Sequence, residues 1–480
     1  MTVLEIAILA VIAAGLGRLA AGRQLALLAV SALALFWLQP AQSPSSLQFW
    51  IPTATVAVTV GVWALTAPRE DRGWRDNWPA VVVLASVILL ADLNRYFGLG
   101  SIYLANTPRL RYALVGIAVI FATALVLAYR RRPMGALYGL AFAGIVLILI
   151  VLKIPSVSAA LLGVLARNGG ASTAQAGAAA PSLLPTIGLQ WLGYSYLAFR
   201  LLHTILDRRS GRLPALTLTE YGCYVIFFPA FTAGPIDRAE RFVQDLRAPL
   251  PMSGDDWIGS GGRILVGLFK KFVLADTLAV ISISESLAPH VNGAGWLWLF
   301  VYAYAFRLFL DFSGYTDIAI GMGRLMGIQL PENFTSPYLK PNLTLFWNSW
   351  HITLTQWLRS YFFNPLVRRL RSSTRWMPAW FVILVAQLGT MLLIGLWHGI
   401  AWSFAAWGLW HGIGLFLHNR WIALTGNRLP AWAQSGSGER VLRAAGIFLT
   451  FNFVAVGWLF FNFSSPEAAW GTLLRLFGAA

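Results

Sequence analysis

The sequence predicts an all-α, polytopic membrane protein: a bundle of roughly 11–13 hydrophobic helices at about 20 residues per span, some re-entrant or interfacial. Three observations carry that reading. The 480 residues are 58% hydrophobic and 11% charged, whereas soluble domains carry about 25% charged residues. Runs such as Val81–Ala91, Ala113–Ala128 and Leu137–Leu152 are nearly free of charge, as a helix crossing hydrocarbon requires. The cations instead collect in short linkers: Arg69, Arg72 and Arg75; Arg130, Arg131 and Arg132; Arg208, Arg209 and Arg212; Arg368, Arg369, Arg371 and Arg375. That is the positive-inside pattern of cytosolic loops. It accounts for the net charge of +17 through loops and anionic lipid headgroups. No nucleic-acid recognition motif accompanies these loops, so no nucleic acid is expected as partner.

Taken in order, spans are expected at Val3–Leu19, Leu25–Leu38, Ile51–Leu65, Pro79–Tyr96, Tyr112–Tyr129 and Met134–Leu152. The first lacks a basic n-region and a small-residue cleavage site, so it reads as a span and not as a removed signal. Ala166–Pro185, rich in Gly, Ala and Ser, suits a flexible loop on the outer side. Ile187–Leu206 returns the chain to the cytosol at Asp207–Arg212. No internal repeat is visible, which argues against a transporter built from inverted halves.

From Tyr221 the character changes. Phe227-Phe228-Pro229 and Gly234-Pro235-Ile236-Asp237-Arg238 place prolines and glycine inside an apolar stretch, either a re-entrant segment or an ordinary helix end with a proline stop. Gly295–Phe312 is a further span ending in Asp311-Phe312-Ser313-Gly314-Tyr315-Thr316-Asp317. The two carboxylates lack companions at metal-ligand spacing, so a structural role is favoured, pairing with Arg307 or Arg324 or bonding a helix end. After a turn-rich connection from Pro331 to Asn342, Leu345–Leu370 reads as one interfacial helix mixing tryptophans with arginines. Spans follow at Pro378–Leu396 and Ala401–Leu417, then near Val441–Phe460, with a short helix from Pro466 to Phe477.

Histidines are the chemistry-bearing residues of this chain. His203, His290 and His418 sit toward helix ends or loops, where imidazole is ordinary. His398 is flanked by apolar spans and bracketed by Trp397 and Gly399. A desolvated neutral imidazole there suits a general base toward a hydroxyl, and equally suits a buried side chain bonding a neighbouring carbonyl. Gly399 would let a substrate or backbone approach closely. On a continuous helix His411 would stand about 140° round and about 20 Å along from His398, so packing is favoured for it. His351 alone reads as interfacial, and nothing in the sequence shows that it meets His398. Cys223, the one cysteine, lies in an apolar stretch where a thiol packs.

Several blocks occur together in order: Gly234-Pro235-Ile236-Asp237-Arg238; Asp311-Phe312-Ser313-Gly314-Tyr315; Pro331-Glu332-Asn333-Phe334; Phe346-Trp347-Asn348-Ser349-Trp350-His351; and Leu396-Trp397-His398-Gly399. They resemble the membrane-bound O-acyltransferase family, in its bacterial branch of alginate O-acetyltransferases and D-alanyl transfer proteins of teichoic acid modification. The resemblance covers residues 184–417 of a single integral membrane domain. The spans of residues 1–183 lie outside it, and residues 418–480 form C-terminal spans. It implies a funnel-shaped helical bundle in the bacterial inner membrane, with an acyl thioester donor (acetyl-CoA or an acyl carrier protein) on the cytosolic side. The acceptor would be a hydroxyl of an extracytoplasmic polysaccharide, or a periplasmic acyltransferase partner, with membrane lipid around the whole. By the same resemblance His398 is the catalytic base and His351 a second required residue. Asn348, Trp347, Trp350, Trp397 and Gly399 would form the substrate pocket.

Transfer from a thioester to a hydroxyl calls for a base and oxyanion stabilisation, with no metal and no permanently bound cofactor. No Gly-x-Ser-x-Gly elbow appears, so direct attack is expected. The expected function is therefore O-acyl transfer, with acetyl the favoured group. D-alanyl transfer from a carrier-protein thioester, or acyl export without transferase activity, stand as alternatives.

Overall fold

The computed structural model describes residues 1–40, 46–68, 70–93, 108–129, 135–168, 188–373, 377–425 and 436–479. Apart from one isolated β-bridge between Phe334 and Trp350, the described residues form helices, turns and irregular connections. The all-α expectation holds. Among the described residues, six helices are long and apolar enough to cross a membrane. Arg69, Arg130, Arg131, Arg132 and Arg375 of the basic linkers lie outside the described residues.

The chain divides into two compact units, the first comprising Met1–Gly262 with Ala319–Leu330. Its helices are α1 (Val3–Gly17), α2 (Arg23–Leu38), α3 (Leu47–Thr66), α4 (Trp74–Leu93), α5 (Leu110–Tyr129), α6 (Gly135–Lys153), α7 (Pro155–Asn168), α8 (Tyr194–Arg209), α9 (Leu218–Val225), α10 (Ala239–Arg247) and α11 (Gly254–Leu268), which runs on into the second unit. Only 11% and 6% of the apolar windows of α5 and α6 are buried, so these helices turn their hydrocarbon outward, as a lipid-facing helix does. The expected outer loop begins later than its composition indicates: Ala166–Asn168 complete α7, and the rest of that stretch lies outside the described residues.

The Pro- and Gly-containing stretch after Tyr221 is broken backbone inside protein. Helix α9 stops after eight residues, and a buried irregular run follows. Arg200 of α8, 2% exposed, donates to the carbonyl of Val225 at the end of α9 at 3.1 Å and to that of Ala230, which also accepts the Gly234 N–H, at 2.8 Å, so it ties the interrupted backbone together. Tyr224 donates its hydroxyl proton to the Asp237 carbonyl at 2.8 Å and pairs with His203 Nδ1 at 3.0 Å. Nε2 of His203 accepts from the Ala239 N–H at 3.4 Å, which makes His203 a strut of this segment.

The second unit comprises Arg263–Ile318 and Pro331–Ala480. It holds a π-helical turn (Phe269–Ala275), α12 (Asp276–Val280), α13 (Ala294–Leu325, whose end belongs to the first unit), α14 (Leu343–Trp347), α15 (Ile352–Leu358), a second π-helical turn (Arg359–Phe363), α16 (Asn364–Ser373), α17 (Ala379–His398), α18 (Trp402–Thr425), α19 (Gly436–Asn462) and α20 (Pro466–Leu476). Gly267 and Gly314 let two helices cross at backbone contact: a Cβ on Gly314 would lie 2.7 Å from the Gly267 carbonyl. That crossing, with the π turn behind it, brings Lys271 to Asp311 at 2.5 Å and Lys270 to Asp317 at 2.7 Å. The carboxylates form ion pairs, but not with the expected partners: Arg263 also binds Asp317, while Arg324 pairs with Asp256 in the first unit.

Candidate active site

The expected single helix over Leu345–Leu370 is broken into α14, α15, a π turn and α16, and the first break builds the site. Residues 348–351 leave the helix, and His351 takes a left-handed backbone conformation, φ 44° and ψ 53°, as the N-cap of α15. Histidine is among the residues that tolerate this region, at some cost. The turn is held by the Pro331-Glu332-Asn333-Phe334 block. The Thr335 N–H donates to the Ser349 carbonyl at 3.1 Å, and the Ile352 N–H to the Asn333 carbonyl at 3.0 Å. Asn333, fully buried, accepts three bonds at Oδ1: from the Thr353 N–H at 3.2 Å, Thr353 Oγ1 at 2.9 Å and His351 Nδ1 at 3.2 Å.

Those bonds also assign the imidazole tautomer. The Thr353 N–H can only donate, so Oδ1 is the atom facing it, and His351 must carry its proton on Nδ1. The basic lone pair therefore sits on Nε2. His351 lies outside the six spanning helices and is 2% exposed; burial pushes its imidazole well below the usual range and keeps it neutral.

His398 ends α17, and Gly399 continues in extended backbone before α18 folds back on α17. It sits half-buried in an aromatic collar: Trp397, Phe461, Trp407 and Phe404 have ring centroids 4.6, 4.8, 5.6 and 6.2 Å away. A Cβ on Gly399 would stand 2.5 Å from the Phe404 ring, so this glycine admits Phe404 to the collar. Trp397 also touches His351, centroid to centroid 6.1 Å. The two histidines thus flank one indole, a juxtaposition invisible in sequence.

The remaining candidates divide. Trp347 packs against Trp407 and His411 and lines a cavity of about 260 Å³ together with Arg359, Gln387 and Met391. Trp350 is buried packing, stacked on Tyr338 and Phe346 beside the Phe334 bridge. Asn348 is exposed and accepts from Arg359 at 2.7 Å. His411 is fully buried in α18, and its ring meets Phe346, Trp347 and Trp407. It shares Trp407 with His398, because the two histidines lie on a helical hairpin and not on one continuous helix. Sequence reasoning missed Asn333 as the partner of His351, and missed Phe404, Trp407 and Phe461 as the collar. The available signal for Asn333 was its place in the Pro331-Glu332-Asn333-Phe334 block that carries the resemblance.

Among the described residues no group of three His, Cys, Asp or Glu stands together as a metal site would require. The arrangement is that of a helical membrane protein with two imidazoles gathered in an apolar, aromatic setting. Residues 191–460 match the model of the MBOAT, membrane-bound O-acyltransferase, family. The chain belongs to that family of O-acyltransferases. It is 34% identical over 286 residues to a teichoic acid D-alanyltransferase of Streptococcus thermophilus, covering 57% of this chain and 68% of that one. It is 34% identical over 281 residues to a probable alginate O-acetylase of Pseudomonas aeruginosa, covering 58% of this chain and 50% of that one. A peptidoglycan O-acetyltransferase of Helicobacter pylori is 31% identical over 275 residues, or 54% of this chain and 46% of that one. The chain thus spans about half to two thirds of the length of these relatives, all three named for acyl transfer.

Proposed function

We propose that this protein transfers an acyl group, acetyl in the favoured case, from a cytosolic thioester to hydroxyls of an extracytoplasmic polysaccharide across the bacterial inner membrane. The observation that supports it is the pair His351–His398 flanking Trp397 within the family-matched region. His398 takes the hydroxyl proton as the oxygen attacks the thioester carbonyl. The C–S bond breaks, the ester C–O bond remains, and the proton passes from the imidazole to the leaving thiolate. The donor is acetyl-CoA or an acyl carrier protein, and no covalent enzyme intermediate forms, so kinetics are sequential. Trp397 and Gly399 line the reacting centre, while Trp347, Asn348 and Trp350 support it from α14 and the turn. A periplasmic acyltransferase completes the transfer where the acceptor lies beyond reach. D-alanyl or another carrier-borne acyl group is the second reading, favoured by the 68% coverage of the D-alanyltransferase relative.

The test is the ester-linked acyl content of the surface glycan, released by alkali and read by mass spectrometry. Cells with the native protein are compared with cells carrying His398→Ala at equal membrane abundance. Loss of a general base lowers turnover by about 10²–10⁴-fold, so the ester falls below detection. An unchanged ester removes His398 from the chemistry.

A further inference from the structure

A cleft of about 940 Å³ opens in the second unit, and neither His351, His398 nor the aromatic collar of His398 lines it. Its polarity changes in order along one face of α13. Phe306 and Phe309 come first, then Ser313 and Thr316, then Asp317. Steps of three and four residues carry the face from Phe306 through Phe309 to Ser313, and Thr316 and Asp317 lie three and four residues beyond Ser313, over about 16 Å of rise in all. Opposite the phenylalanines, α19 contributes Ile447, Phe448 and Phe451, a wholly apolar wall. Phe448 is 65% exposed on a helix long enough to span the membrane, so the apolar end opens toward hydrocarbon.

The hydroxyl band carries the sharpest signal. Ser313 and Thr316 are 4% and 2% exposed, and neither hydroxyl has a hydrogen-bond partner among the described residues. Buried hydroxyls left unpaired cost free energy, and helical ones ordinarily bond the carbonyl a turn back. Here both border an open cleft. Beyond them stands a lattice of both signs: Arg263 joins Asp317 at 3.0 Å and Glu332 at 2.6 Å, and Lys270 joins Asp317 at 2.7 Å. These four side chains are partly exposed and balance to zero net charge.

Charged end, hydroxyl band and apolar end are the three zones of a glycerophospholipid: head, ester carbonyls and chains. We propose that this cleft is a binding site for one zwitterionic bilayer phospholipid. Its phosphate lies by Arg263 and Lys270, its ammonium by Glu332 and Asp317, and its ester carbonyls accept from Ser313 and Thr316. The chains run between the faces of α13 and α19. The balanced charge lattice selects the head: once a phosphate draws on Arg263 and Lys270, a purely anionic lipid offers Asp317 and Glu332 no ammonium in return. The site is independent of the acyl-transfer reading.

The experiment is native mass spectrometry of the full chain, released from nanodiscs of equal phosphatidylethanolamine and phosphatidylglycerol. One phosphatidylethanolamine per chain is expected to survive delipidation. Ser313→Val with Thr316→Val lowers its retention while the protein stays folded. Glu332→Gln leaves a net positive head site and shifts the retained ratio toward phosphatidylglycerol by about threefold, the size of one partly exposed charge contact. This second variant alters only a rim residue, so it keeps the test valid if the double variant misfolds. Equal retention of both lipids by the native protein overturns the proposal, as does retention indifferent to every variant. Stoichiometric displacement of the lipid by acetyl-CoA also overturns it, and gives the cleft to the thioester donor.

Discussion

Asn333 is the residue whose removal tests the site most directly. Its Oδ1 takes three buried donors, from His351 and twice from Thr353. Each such bond contributes about 1 kcal/mol net, and a buried donor left unmade costs about 1–3 kcal/mol. Against this, His351 held at φ 44° stores roughly 1 kcal/mol or more, which is released if the turn relaxes. Asn333→Ala should therefore cost roughly 2–4 kcal/mol and let residues 348–351 join α14 to α15 as continuous helix. His351 would then leave Trp397. The expected result is a thermal melt lowered by several degrees, with ester formation down at least about tenfold, since that much follows from misplacing a group by about 1.4 kcal/mol. Asn333→Asp is the discriminating partner. It keeps the acceptor and so the fold, but its negative charge favours the imidazolium form of His351. The folded-state pKa of the imidazole rises, the proton binds over a wider range, and the acid limb of the pH–rate profile moves upward. An Asn333→Ala protein that melts and turns over like the parent would refute the reasoning, because the left-handed turn would then need no lock.

Other outcomes follow from the packing. Gly408→Leu should cut membrane abundance severely, since a Cβ there already falls 2.5 Å from the Met391 carbonyl and the α17–α18 hairpin cannot close; fluorescence-detected size exclusion reads it. Gly399→Ala should spare abundance and depress ester formation, because the added methyl meets Phe404 and dislodges one side of the collar around His398. Arg200→Met should destabilise by about 2–4 kcal/mol, leaving the carbonyls of Val225 and Ala230 without their cationic donor in a buried break; limited proteolysis near residues 226–238 would report it.

The helices were legible in the sequence because charge-free runs of the right length have one solution in a bilayer. Expected and observed ends of α2, α3, α5 and α6 fall within a few residues of each other. Where the sequence misled, a distant side chain decides the local backbone. Pro365 stands at the start of α16, but no proline or glycine lies between Leu345 and Asn364; the first break comes from Asn333, eighteen residues before His351. The two spans around the His398 turn were legible, but the common neighbour they give His398 and His411 was not, because it depends on glycines meeting carbonyls across the two helices. The setting of His398, an imidazole bracketed by Trp397 and Gly399 between apolar runs, left a general base and a packing role equally open; only the family resemblance favours the base.

The left-handed turn at His351 bears on how this candidate site can be moved or redesigned. A helix carries its conformation with it; this turn does not, since its shape is imposed by amide and backbone groups of residues 333–335. The smallest transplantable piece therefore runs from Pro331 through Thr353 and must arrive with the α17–α18 hairpin that offers Trp397. Grafting the Phe346–His351 block alone into another bundle would yield an uninterrupted helix with its histidine aimed elsewhere. Libraries that vary the two blocks separately will mostly sample such dead combinations, and those that vary them jointly will not.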